Sequence, residues 1–371
     1  MSDVTPAALA PTVAWGAFAL AFVFGLVAQR SNFCTMGAVS DIVNMGDWTR
    51  MRMWLFAIAV AVLGANALHM GGFVDLGKSI YTGPSVTWLS GIVGGLAFGF
   101  GMTLASGCGS KTLLRIGAGN LKSVVVFMVL GISAYMTLKG LFGVWRVALL
   151  DPVAVTLAGG QDLPGLLSRA FGIEARTLRI VVALVVAAAL IAFALASAEF
   201  RSLDVVISSA IIGLVIVAGW YVSGRVGYVA EDPNTLQEAF AATNSGRMES
   251  FSFVAPVAYT LELLMLWSDK SRIVTFGIAA TLGVIAGSLV WSLATRTFRL
   301  EGFRDAEDTA NHLVGGALMG FGGVTALGCT IGQGLSGIST LAVGSLITLL
   351  AIVAGSVAAF RYQMWRLERM G

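Results

Sequence analysis

The chain has 371 residues, is 57% hydrophobic before its 46 glycines are counted, and is only 12% charged, with a formal net charge of +3. A soluble domain is typically about 25% charged. The composition therefore excludes an ordinary soluble enzyme, a disordered chain and a nucleic-acid binder, which would need a basic patch, and leaves an all-α membrane protein.

A crossing needs about 20 apolar residues. The first such run is 12–28. The first charge is Asp3, so the basic start of a secretory signal is missing and this run is expected to remain as a helix. Just after it comes Asn32-Phe33-Cys34-Thr35-Met36-Gly37. Crossings are predicted next at 51–70 and 86–105, the second leading into Ser106-Gly107-Cys108-Gly109-Ser110-Lys111. Further runs at 121–147, 178–198, 203–223, 271–295, 312–328 and 340–361 bring the total to nine. The stretches 149–177 and 224–250 carry mixed charge and turn residues and read as connectors. Trp15, Trp48, Trp54, Trp88, Trp145 and Trp267 lie near run ends, as an interfacial aromatic belt requires.

Residues 309–360 contain no Asp, Glu, Lys or Arg, too long a run for one crossing. Gly328-Cys329-Thr330-Ile331-Gly332-Gln333-Gly334 interrupts it. A turn dipping into the membrane is expected there. Such a turn survives at that depth only if buried in protein or lining a wet cavity. With the N-terminus outside and the C-terminus inside, 13 of the 23 Lys and Arg fall on the inner side, the tail Arg361–Arg369 being the best single indicator.

Two segments repeat at an offset of 221 residues. Gly94-Gly95, Gly99-Phe100-Gly101, Ala105 and Gly107-Cys108 recur as Gly315-Gly316, Gly320-Phe321-Gly322, Ala326 and Gly328-Cys329. A weaker echo sets Phe33-Cys34 beside Phe251-Ser252. One membrane domain over 1–371 is thus expected, with repeat A about 12–147, a linker helix about 178–198 and repeat B about 203–361. Each repeat would carry two re-entrant or short-helix loops. Five crossings, an odd number, separate corresponding helices, so the second copy is inverted, an arrangement of transporters. The paired glycines are most simply helix-packing residues.

All three cysteines fall in these breaks. A free cysteine in a membrane helix is ordinarily a small buried hydrophobe, but three in the breaks point to a purpose. Their odd number and long spacing make no disulfide framework, and no Cys-x-x-Cys exists. A metal would want a fourth ligand, and two histidines are too few for paired haem ligation. No cofactor is called for. Each cysteine is expected at the start of a short helix, where free N–H groups and the helix dipole favour an anion. Cys34, Cys108 and Cys329 are therefore candidates for a substrate path. Asn32, Thr35, Ser106, Gly107, Gly109, Ser110, Lys111, Ser252, Gly328, Thr330 and Gln333 are candidate flanking contacts. Lys111 and Arg115 follow Cys108 at helical spacing and share its face; they can draw an anion or simply mark an inner helix end. Glu262 and His312 are expected at the interface, although intramembrane acids can also relay protons.

The motifs Asn32-Phe33-Cys34-Thr35-Met36-Gly37, Ala105-Ser106-Gly107-Cys108-Gly109 and Ala326-Leu327-Gly328-Cys329-Thr330-Ile331-Gly332-Gln333-Gly334 together resemble those of the YeeE/YedE family of sulphur-transport membrane proteins. The resemblance covers nearly the whole chain. It implies a bacterial inner-membrane protein, not an enzyme, that imports thiosulfate past a series of cysteine thiols, here Cys34, Cys108 and Cys329. It also implies a separate TusA-like sulfurtransferase on the cytoplasmic side. Some relatives handle selenium species instead. A membrane sulfurtransferase working through a cysteine persulfide is the competing reading; the internal pseudo-symmetry favours transport.

Overall fold

The structure is a computed structural model and describes residues 5–370. Among them, nine helices are long and apolar enough to cross a membrane. They are α1 (Pro6–Arg30), α3 (Thr49–Met70), α4 (Trp88–Leu104), α6 (Leu121–Lys139), α9 (Ala175–Leu195), α10 (Leu203–Tyr221), α12 (Phe276–Ala294), α13 (Ala306–Thr325) and α14 (Val343–Met370). Shorter helices lie between them: α2 (Thr35–Met45), α5 (Gly109–Gly117), α7 (Leu141–Trp145), α8 (Leu163–Phe171) and α11 (Ala255–Met265). A π-helical segment covers Thr330–Gly337. Two antiparallel ladders of two residues a side, β1 (Ser85–Val86) with β2 (Val155–Thr156) and β3 (Tyr228–Val229) with β4 (Ala239–Phe240), tie connectors together.

Several expected boundaries move for local reasons. The crossing expected over 121–147 stops at Lys139, because extended backbone at Gly140 (φ −112°, ψ −155°) breaks the helix before α7 restarts it. α13 begins at Ala306 rather than 312, where Asp305 caps it by accepting from the Asp308 N–H at 2.7 Å. Its first turn carries Glu307 and Asp308. Hydropathy rejects those acids, but the positive end of the helix dipole favours them. The connector 149–177 is not plain coil: it contains α8, capped by Asp162. The same carboxylate pairs with Arg179 of α9 at 2.7 Å, both side chains being largely buried. Arg179 also donates to Asn66 Oδ1 at 3.3 Å, which holds α9 against α3.

Helices in lipid associate by close packing rather than by expulsion of water, so small residues mark the contacts. The glycine motifs meet across α4 and α13. A Cβ added at Gly94 would lie 2.7 Å from the Gly322 carbonyl oxygen, and one at Gly101 would lie 2.7 Å from that of Gly315. The remaining glycines turn outward. Gly95 and Gly99 lie on the α14 backbone, and Gly316 and Gly320 lie on α6. α1 packs along α12 while α10 packs along α3. α9 packs on α3 at the edge of the bundle.

Nine crossings put the two chain ends at opposite faces. The segments following α1, α4, α9 and α12 share the face of the C-terminus, and those following α3, α6, α10 and α13 share the face of the N-terminus.

Candidate functional site

Three of the long helices or their continuations are interrupted by one construction. Asn32, Ser106 and Leu327 each take a left-handed conformation, with φ of +51°, +56° and +56°. The next N–H then reaches back five residues: Phe33 to Ala28 at 3.1 Å, Gly107 to Met102 at 2.8 Å, Gly328 to Gly323 at 2.8 Å. This closes a helix end in the manner usually served by glycine. The turning residue is thus the one two places before each cysteine and is never glycine. The glycines serve the tight packing around it: a Cβ at Gly109 would lie 2.6 Å from the Phe253 carbonyl oxygen.

Each cysteine consequently stands at the N-cap of a short helical segment: Cys34 of α2, Cys108 of α5 and Cys329 of the π-helical segment. Cys34 Sγ accepts from the Gly37 N–H at 3.4 Å. Cys329 Sγ accepts from the N–H groups of Phe253 at 3.4 Å and Gly332 at 3.5 Å, and lies 4.0 Å from Ser252 Oγ. Cys108 Sγ lies 3.3 Å from Ser110 Oγ. Cys34 and Cys108 lie near one another, and Cys108 also lies near the Thr330 hydroxyl, without a hydrogen bond to it. Cys34, Cys108, Thr330, Cys329 and Ser252 thus gather as a row of polarisable and hydroxyl groups, with Cys34 near Cys108, Cys108 near Thr330 and Cys329 beside Ser252. All three thiols are free and buried. Among the described residues no cluster of His, Cys, Asp and Glu is suited to a metal ion.

Buried polar groups normally find partners, and those that do not need a reason. The hydroxyls of Thr35, Thr330 and Tyr81 have none. Thr35 follows Cys34 and Thr330 follows Cys329. Tyr81 comes from the connector after α3. Its hydroxyl and Ser252 Oγ both lie against Gly332, the residue whose N–H donates to Cys329 Sγ. The ring of Tyr81 meets Trp220 edge-on at 6.2 Å, and the Trp220 indole N–H is fixed by Ser339 Oγ at 2.9 Å. No sequence motif pointed to Tyr81; it approaches the row only through folding.

The row lies between two cavities on opposite faces. A cavity of about 600 Å³ opens on the C-terminal face and is lined by Asn32, Ser106 and Lys111 together with Arg50, Arg115, Lys122, Arg299 and Arg304. Asp41 engages Arg50 at 2.5 Å and Asp308 engages Lys122 at 2.6 Å. Among the described residues, Lys111, Arg115, Arg299 and Arg304 have no carboxylate within ion-pair distance. Lys111 also lies close enough to Cys34 and Cys108 to act on both. A cavity of about 220 Å³ opens on the N-terminal face and is lined by Ser252 and Gly328 with Arg146, Glu249 and Tyr259. Between the cavities the thiols are closed off, with Cys34 6%, Cys108 1% and Cys329 0% exposed.

Not every expected contact joins the row. Gln333 is buried, but its side-chain amide N–H donates to the Ala326 carbonyl and its edge faces a separate crevice with Gln161 and Ser85. Asn32 is exposed in the larger cavity, below the thiols rather than among them. Glu262 is enclosed by protein. It is 3% exposed, accepts from Tyr135 at 3.0 Å, and pairs with Lys139 and Arg272, each at 3.2 Å. α11 packs against α6, which carries Tyr135 and Lys139, so a local reading of hydropathy could not anticipate the pairing. His312 is also buried, its Nδ1–H donating to the Asp308 carbonyl at 2.7 Å beside the larger cavity.

The family model described as Sulphur transport (Sulf_transp) matches residues 30–358. The chain is 27% identical to the thiosulfate transporter TsuA of Escherichia coli over 318 residues, covering 84% of each chain. It is 25% identical to the thiosulfate transporter TsuA of Spirochaeta thermophila over 348 residues, covering 92% of this chain and 96% of that one. A shorter match, 31% over 94 residues, reaches the probable transporter YedE of Salmonella typhimurium and covers 25% of this chain and 21% of that protein.

Proposed function

This chain belongs to the Sulphur transport (YeeE/YedE) family, and from that premise we propose that it imports thiosulfate through the row of thiols between its two cavities. A sulfur-anion transport role rests on the relatives; the route and the ion are our reading. The observation that carries the route is the convergence of three cysteine-headed helix starts with the unpartnered hydroxyls of Thr330 and Tyr81, bracketed by cavities on opposite faces. Thiosulfate is a dianion with a soft terminal sulfur. Helix starts offset its charge without a buried cation. Thiols and hydroxyls offer a series of weak contacts, which bind without trapping and so permit conduction. Lys111 and the unpaired arginines of the larger cavity would hold the anion at the far end. We place the N-terminus in the periplasm and the C-terminus in the cytoplasm of a bacterial inner membrane, so that the larger, basic cavity is the exit. A TusA-like sulfurtransferase receiving the ion there is part of the proposal.

The two halves are read as inverted repeats within one domain, repeat A about 12–147 and repeat B about 203–361, joined by the helix about 178–198. The reciprocal pairing of Gly94 with Gly322 and of Gly101 with Gly315 supports this. In such a contact a position on one copy meets the partner position on the other, as a two-fold axis requires. The short helices α2, α5 and α11 and the segment 330–337 would then be the re-entrant pieces.

Uptake of radiolabelled thiosulfate into proteoliposomes of the purified protein tests the function. Uptake is expected to persist in excess sulfate, which lacks the soft sulfur. Equal competition by sulfate would sink the thiol-recognition reading. Tyr81→Phe removes one hydroxyl without altering the ring. A hydrogen bond to a charged group is worth about 1.5–3 kcal/mol, so the half-saturating thiosulfate concentration is expected to rise about tenfold or more. An unchanged value would remove Tyr81 from the path.

A further inference from the structure

An anion path has no evident use for a carboxylate at its mouth, yet Glu249 lines the smaller cavity beside Ser252 and Gly328. The groups around it are few. Ser245 Oγ donates to its Oε2 at 3.2 Å. The Ser223 hydroxyl, at the end of α10, takes its backbone carbonyl rather than its side chain. Arg146, in the turn continuing α7, shares the cavity wall but faces Asp151 at 3.3 Å. Arg247, two residues away, is turned to the Ser79 carbonyl at 3.4 Å. Tyr259 of α11 lies in range of both Glu249 and Arg146, and Tyr81 lies on the side towards Cys329. The Lys139–Glu262–Arg272 group is already self-paired. Among the described residues no cation lies within ion-pair distance of Glu249.

An ionised, unpaired carboxylate in a narrow cavity repels a dianion, and low-dielectric walls strengthen the repulsion. The same group carrying its proton is neutral and becomes an O–H donor. We propose that Glu249 is the entry selector of this path: the dianion occupies the outer cavity only when Glu249 is protonated and can donate to it. This rests on the thiosulfate reading. The surroundings favour it, since enclosure by protein pushes the carboxyl up to about 7 against the donated bond from Ser245 and one from the Asn244 backbone. Its edge stays open to the cavity, so protons reach it from the outer solution.

The sign follows directly. A carboxyl titrating near 7 is mostly neutral at about pH 6 and mostly ionised at about pH 8, the neutral fraction falling about tenfold between them. Thiosulfate remains a dianion throughout. Uptake by the wild type is expected to fall about tenfold over that range of outer pH, and Glu249→Gln, which cannot ionise, is expected to lose the slope. Infrared difference spectra of the wild type in detergent supply a readout independent of substrate. A neutral-carboxyl C=O band is expected to vanish over the same range and to be missing in Glu249→Gln. A slope that persists in Glu249→Gln, or wild-type spectra without the titrating band, would overturn the proposal. Absence of thiosulfate uptake while the band titrates counts against the transport reading instead.

Discussion

Cys108→Ala is expected to cut thiosulfate uptake by about tenfold to a hundredfold, the equivalent of one charge-assisted contact worth about 1.5–3 kcal/mol. Cys108 is the middle one of the three thiols in the row. It lies near both Cys34 and the Thr330 hydroxyl, which come from opposite ends of the chain. It is also 1% exposed. Removing one sulfur from a buried site leaves a small void and costs about 1 kcal/mol or less of stability, so the variant should purify as folded protein. Cys108→Ser separates two causes. It keeps a hydroxyl donor but loses the soft, polarisable atom, so retained uptake would assign the site to hydrogen bonding, and lost uptake to sulfur contact. Initial uptake rates in proteoliposomes, normalised to inserted protein, decide the matter. A Cys108→Ala variant that transports like the wild type would end the thiol-path account.

Gly99→Leu is expected to yield no folded protein. Gly99 belongs to the first Gly-Phe-Gly motif, and its Cα rests on the backbone of α14 at Ile352. A Cβ there would overlap the Ile352 carbonyl and come within 2.9 Å of the Ser356 N–H nitrogen. The obstacle is backbone, not a flexible side chain, so only separation of α4 from α14 could relieve it. That separation would also strip contacts along α13, because α4 is packed between the two. Overpacking a tight core costs about 1–3 kcal/mol even for modest additions, so Gly99→Ala should already lower the melting temperature in detergent. Gly46→Ala offers a contrast in cause: nothing lies near that position, but its φ of +70° strains any side chain. A Gly99→Leu protein melting with the wild type would mean that α4 and α14 are not packed as described.

What the sequence determined by itself was whatever depends on neighbours along the chain. Sparse charge over runs of spanning length marked the nine crossings. The uncharged stretch 309–360, too long for one helix, marked a break at Gly328-Cys329. The glycine motifs at 94–101 and 315–322 marked two tightly packed helices. Local signals also misled in ways that have causes. Hydropathy cut the start of α13 because it counts Glu307 and Asp308 against a helix, whereas the dipole at a helix start welcomes them. Nor do composition and hydropathy show that Asn32, Ser106 and Leu327, none of them glycine, take the left-handed positions in the breaks.

Tertiary structure alone decided which distant groups meet. Tyr81 approaches Ser252 and Cys329 from a connector after α3, and nothing near Tyr81 in the chain announces it. Glu262 is stable inside the protein because Lys139 and Arg272, 123 residues before it and 10 after, arrive at 3.2 Å. Glu249 lines a cavity only because α11, α12 and the end of α13 close around its loop. The physical reason is common to all three. Apolar runs and helix ends are fixed by the local cost of exposing backbone and side chains to lipid or water. The environment of a polar group is fixed by what packs against it, and the chain sets that only when its helices come together.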